Sequence, residues 1–143
     1  YDAAAADHAA YEQARTLAGQ LQGASDAEAV AFRARLDSLA PAPAAGGRGG
    51  RGGRGGGFGG RGGGGAALAV TLESASTAAM AAAMSMQNAD VTPTASEVTA
   101  ADQARAQSST VMAKWNALRT TGLAALNAKR RAAGLAPIMV PRE

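Results

Sequence analysis

Between Gly46 and Gly65, fifteen of twenty consecutive residues are glycine. Glycine loses more conformational freedom on ordering than any other residue, so no helix or strand is expected across this run. Whatever folds must be built from the two flanks, residues 1–45 and 66–143. Both flanks are dominated by alanine, which supplies forty of the 143 residues. Leu, Ile, Val and Phe together number 19, about 13% of the chain, below the roughly 20% at which chains begin to look weakly folded. Burying alanine removes little apolar area, at roughly 25 cal/mol per Å². A thin core and marginal stability are expected unless something else packs against the chain.

Periodicity makes the flanks helical. Tyr11, Ala14, Ala18 and Leu21 follow a three-four spacing with Leu17 beside them, and Gly23 ends that segment. The run SDAE at 25–28 then reads as a capping box, Ser25 with Glu28. It opens a second helix carrying Phe32, Leu36 and Leu39 at i, i+4 and i+7, and the PAPAA run from Pro41 stops it. After the glycine tract, residues 66–90 form an alanine-rich helix with Met80 and Met84 one turn apart. The next boundary has Thr94 as cap, Glu97 as its reciprocal partner, and Pro93 and Val98 placed as a hydrophobic staple. A long helix follows through Val111, Trp115 and Leu118. The Thr120–Gly122 run weakens it without breaking it, Leu123 and Leu126 resume the apolar face, and Gly134 reads as a left-handed cap. The expected fold is all-α: two helical hairpins, in an antiparallel helix bundle, joined by a disordered Gly/Arg-rich tether. The expected division is a hairpin at 1–40, a linker at 41–65 and a hairpin at 66–143. Its candidate packing and interaction residues are Met80, Met84, Val111, Trp115, Leu118, Leu123 and Leu126. Met80, Met84, Met86 and Met112 could form an adaptable binding groove, but filling irregular gaps between alanine-rich helices is the plainer expectation.

Charge and residue counts narrow the chemistry. The net charge of +3 includes four arginines of the tract, and without them the remainder stands at −1. Neither flank is a basic surface suited to nucleic acid. With no cysteine and one histidine, His8, thiolate metal sites, disulfides and cysteine nucleophiles are excluded. His8, near the start of a helix, reads as a solvated surface residue. Scattered Asp, Glu and Ser suit caps and solvent faces, so no catalytic residue and no cofactor is expected. The glycine run lacks the Lys-Ser/Thr ending and the preceding strand of a phosphate loop. No stretch of 18 uncharged apolar residues is present to span a membrane. Starting at Tyr1 rather than Met, the chain reads as a processed product or a piece of something longer.

The tract itself admits two readings. Arg48, Arg51, Arg54 and Arg61 could pair with phosphates, and Phe58 could stack on a base, as in RGG-type nucleic-acid-binding proteins. Four charges give weak, strongly salt-dependent affinity, and a single aromatic gives one stacking platform. As a tether the twenty residues span roughly 25 Å on average, enough to join two hairpins side by side. The tether is the favoured reading, and an RGG-type protein with helical flanks is the alternative.

The segment from Ala89 to Val140 resembles the extreme C-terminus of large secreted bacterial proteins built from BNR-like repeats. These are β-propeller proteins related to sortilin-type (VPS10) propellers and commonly labelled glycosyl hydrolases. The resemblance rests on the boundary Ala89, Asp90, Pro93 and Thr94 and on LAALNAKRRAAGL at 123–135. It extends over roughly residues 66 to 140, and to the first hairpin by position and helical character. No Ser-x-Asp-x-Gly-x-x-Trp propeller repeat occurs in the chain, so any hydrolase activity of the family would lie outside it. The resemblance implies a secreted or periplasmic, non-catalytic helical tail or scaffold. It would pack on its own β-propeller region or on partner subunits of an envelope complex, and it disfavours RNA as a partner.

Overall fold

A computed structural model describes residues 1–43, 69–87 and 92–140. The described residues are helical, with no strand among them. Helix α1 spans Asp2–Gln20, α2 Ala27–Leu39, α3 Leu72–Gln87, α4 Ala95–Ala117 and α5 Leu123–Ala132. A π-helical segment, Leu118–Gly122, joins α4 to α5, so these two read as one long, locally widened helix. Four helical rods thus pack together, chiefly α1 on α3 and α3 on α4, with α1 also lying against α4.

The helix ends follow local chemistry in two of the expected places. Thr94 Oγ1 accepts from the Glu97 amide at 3.3 Å, and the Thr94 amide donates to Glu97 Oε2 at 2.7 Å, forming the capping box. Gly134 adopts φ +74°, in the left-handed region. The Gly134 amide bonds to Arg131 O at 3.0 Å and the Leu135 amide to Arg130 O at 2.8 Å. That pair of bonds is the Schellman closure. At the Thr120–Gly122 run the helix continues but loosens into the π-helical turn, where Thr120 Oγ1 donates to Asn116 O at 2.6 Å. A further reciprocal pair starts α3: the Thr71 amide donates to Ser74 Oγ at 2.9 Å, and the Ser74 amide to Thr71 Oγ1 at 3.1 Å.

The start of α2 departs from expectation. Ser25 and Glu28 do not form a capping box; the cap position is Asp26, without a side-chain cap bond. Both acidic side chains are engaged across the molecule instead. Glu28 accepts from Lys129 Nζ at 2.6 Å and Asp26 from Arg130 Nη1 at 2.8 Å. The Glu28 carboxylate is thereby committed to Lys129 rather than to the backbone at the start of α2. The staple expected of Pro93 and Val98 also fails to bury its members, since both are exposed. The helix expected over 66–90 is present from Leu72 to Gln87; residues 66–68 and 88–90 lie outside the described part.

The core draws on both flanks of the tract. Leu17, Leu21, Phe32, Leu36 and Leu39 from the first flank share one cluster with Leu72, Val111, Trp115, Leu123 and Leu126 from the second. These large residues sit where α1's second half meets α2, α5 and the lower part of α4. Toward the start of α1 the buried residues shrink to Ala4, Ala10, Ala101 and Ala104. Close helix approach there relies on alanine, which contributes little apolar area per residue. The bundle therefore has a leucine-rich end and a thinner alanine end.

Candidate interaction surface

The alanine end holds an open concavity. Tyr1, Ala5 and His8 of α1 face Thr77, Met80 and Met84 of α3 across a groove of about 630 Å³. Tyr1 is 58% exposed, Met80 40% and Met84 55%, so the rim is apolar and open to solvent. The groove arises because α1 and α3 run antiparallel, with Ser76 Oγ donating to the Ala4 carbonyl at 3.0 Å. Beyond that contact the facing residues are mostly alanines, too short to fill the space. Glu73, at the opposite end, is the only charged residue of α3. Ala81 and Met84 of α3 are exposed beside the groove.

The candidate residues read from the sequence divide sharply. Val111, Trp115, Leu123 and Leu126 are buried in the core cluster, and Leu118 packs partly buried against it. Met80 and Met84 are surface residues. Gap filling therefore describes Met112, which packs against the core, but not Met80 or Met84. The reason is placement: the second half of α3 meets mostly short side chains of α1 and α4, and Met80 and Met84 stay on the exposed side. Arg48, Arg51, Arg54, Phe58 and Arg61 lie outside the described residues, as do Ala89 and Asp90.

Two carboxyl groups depart from ordinary titration. Glu97 is held below the usual range because it accepts bonds from the Thr94 amide and the Thr94 hydroxyl. Asp7 is pushed up by burial, opposed by a smaller effect from the Ser108 hydroxyl, which donates to Oδ1 at 3.0 Å. No solvent reaches Asp7. Its Oδ2 has no hydrogen-bond partner. Sequence reading passed over this pair, although the stripe Ala10, Ala14, Leu17 extended backward by three-four steps reaches Asp7. His8 is exposed and lines the groove, in keeping with a solvated surface residue.

Other polar ties close the leucine-rich end. Tyr11 Oη donates to Pro41 O at 3.1 Å, and Arg15 Nη1 to Asp37 Oδ1 at 2.8 Å. Asn127 grips the C-terminal segment with both ends of its amide: Nδ2 donates to Ile138 O at 2.8 Å, and Oδ1 accepts from the Ile138 amide at 2.7 Å. Arg130 Nε adds a bond to Ala136 O at 2.9 Å. Residues 136–140 are thereby strapped along α5, with Ile138 and Val140 partly buried against the core.

Among the described residues no three His, Cys, Asp or Glu side chains are grouped to hold a metal ion. No described helix is long and apolar enough to cross a membrane. The described residues form a small all-α fold of four packed helical rods. The chain matches no protein-family model, and no match to a curated protein or to a solved structure is found.

Proposed function

We propose that the chain is a non-catalytic helical scaffold module of an exported β-propeller-type protein, and that it packs on its parent's propeller region. The observation that supports this reading is the α1/α3 groove, whose open apolar rim is made by Tyr1, Met80 and Met84. Methionine adapts its shape to irregular partners, and a neutral helix face loses little solvation when covered. The choice of a propeller as occupant comes from the likeness of residues 66–140 to tails that follow such propellers. A covering body would also compensate for the scarcity of large apolar residues in the chain.

The test is photo-cross-linking from position 84 in the protein as its source cell makes it, joined to an intact-mass measurement. Cross-links to propeller-repeat peptides of the same polypeptide are expected. A native species with the mass of these 143 residues alone would sink the parent reading. Cross-links confined to RNA would favour the RGG alternative.

A further inference from the structure

The two halves of α1 are held to the bundle in different ways. The second half buries Leu17 and Leu21 and is tied through Tyr11 to Pro41 and through Arg15 to Asp37 and Ala40. The first half buries alanines and has two polar ties, Ser76 to the Ala4 carbonyl and Ser108 to Asp7. Asp7 has no exposed surface, and its Oδ2 is unpartnered. An ionised carboxylate there gives up hydration and receives one hydrogen bond in return. A proton on the carboxyl removes the charge and with it most of that cost.

We propose that Asp7 is a proton-operated latch: protonated, it seats the first half of α1 between α3 and α4; ionised, it lets that half detach while the leucine-rich end stays folded.

The surrounding charges leave the latch to Asp7 itself. On α3 the only charged side chain is Glu73, exposed in the first turn. On α4, Arg105 is exposed and paired with Asp102 at 3.6 Å, and Lys114 and Glu97 point to solvent or to the cap. On α1, Asp2, His8 and Glu12 are exposed, and Arg15 is engaged with Asp37. None of these is hydrogen-bonded or ion-paired to Asp7. Burial raises the Asp7 value above its ordinary 3.8, and the Ser108 bond lowers it less. The closed latch is therefore fully favoured below the ordinary value and weakens as pH rises through the folded one. Each unit of elevation corresponds to a tenfold change in the opening equilibrium across the titration. Opening would also remove the α1 wall of the groove; that consequence alone rests on the docking reading above.

The latch is tested by amide hydrogen exchange of the full chain between about pH 3 and pH 8, corrected for the intrinsic rate. Protection in the first half of α1 and around Ser108 is expected to fall about tenfold per unit of elevation, while Leu17, Leu36 and Leu126 keep theirs. Asp7→Asn retains an acceptor for Ser108 and should hold protection at the closed level at every pH. Ser108→Ala removes the bond that favours the carboxylate and should move the midpoint upward. A flat profile in the native chain, an unchanged profile in Asp7→Asn, or equal loss of protection throughout the bundle would each overturn the latch. Should Asp7→Asn fail to fold, a carbon-13 titration of the native carboxyl decides: a midpoint at or below the ordinary aspartate value overturns it. Loss of cross-linking from position 84 at constant exchange would count against docking and leave the latch standing.

Discussion

The ring of Phe32 on α2 lies 3.0 Å from the place a β-carbon would occupy on Gly122, in the π-helical segment. Phe32 is 4% exposed, and a β-carbon at Gly122 would require its ring to give by a few tenths of an ångström. Gly19, inside α1, faces open space. Replacing a helical glycine by alanine ordinarily stabilises by about 0.5–1 kcal/mol. Gly19→Ala should therefore stabilise by about 0.5 kcal/mol, because it sits close to the helix end. At Gly122 the same change forces Phe32 aside, and overpacking typically costs about 1–3 kcal/mol. Gly122→Ala should lower the thermal midpoint where Gly19→Ala raises it. Equal and positive shifts in calorimetry would mean that the Phe32 contact yields freely.

Trp115 carries the largest share of the core. It is 1% exposed and sits with Val111, Leu123 and Leu126 in the shared cluster. Truncation of such a residue costs about 3–5 kcal/mol, which is large against the total stability of any small domain. Trp115→Ala should therefore lose most of its helical signal at room temperature, whereas Trp115→Phe should keep it. Native fluorescence should be blue-shifted and poorly quenched by iodide. Ready quenching in the folded chain would place the indole at the surface.

The Thr94–Glu97 box acts in the opposite pH direction to Asp7. Thr94→Ala should cost about 1 kcal/mol, measured by urea unfolding at neutral pH. Glu97 is held below its ordinary 4.5 by the Thr94 amide and hydroxyl. Its contribution is therefore present above the ordinary value and disappears as pH falls through the folded one. Glu97→Gln should weaken the cap at neutral pH and match the native chain in strong acid. A Glu97→Gln difference that persisted unchanged at pH 2 would show that the carboxylate charge is irrelevant to the cap.

The two ion pairs that hold α5 to the start of α2 should differ in worth. The Arg130 side chain is 11% exposed, and its guanidinium serves both Asp26 and the Ala136 carbonyl. Lys129 and Glu28 are both more than half exposed. Exposed pairs contribute about 0–1 kcal/mol and are screened by salt. In double-mutant cycles the Asp26–Arg130 coupling should exceed that of Glu28–Lys129 and survive higher salt. Equal couplings that vanish together with salt would contradict this ordering.

Sequence by itself determined the elements whose causes lie within one helical turn. Thr94 and Glu97 cap α4 because the reciprocal bonds span three residues, and Gly134 ends α5 because only the local backbone must turn left-handed. The stripes Ala14–Leu17–Ala18–Leu21 and Phe32–Leu36–Leu39 became core because helical periodicity places them on one face. Tertiary structure decided everything that depends on what stands opposite a face. Ser25 and Glu28 had the spacing of a capping box, but Lys129 and Arg130, about a hundred residues away, offered charged partners to Glu28 and Asp26. Met80 and Met84 lie one turn apart, yet the neighbouring start of α1 brought small or exposed residues, so both stay largely at the surface. Asp7 had the composition of a surface position and became buried, because small residues on α3 and α4 let the helices close over it. Periodicity tells which residues share a face; only the packing of the helices decides which faces lose their water.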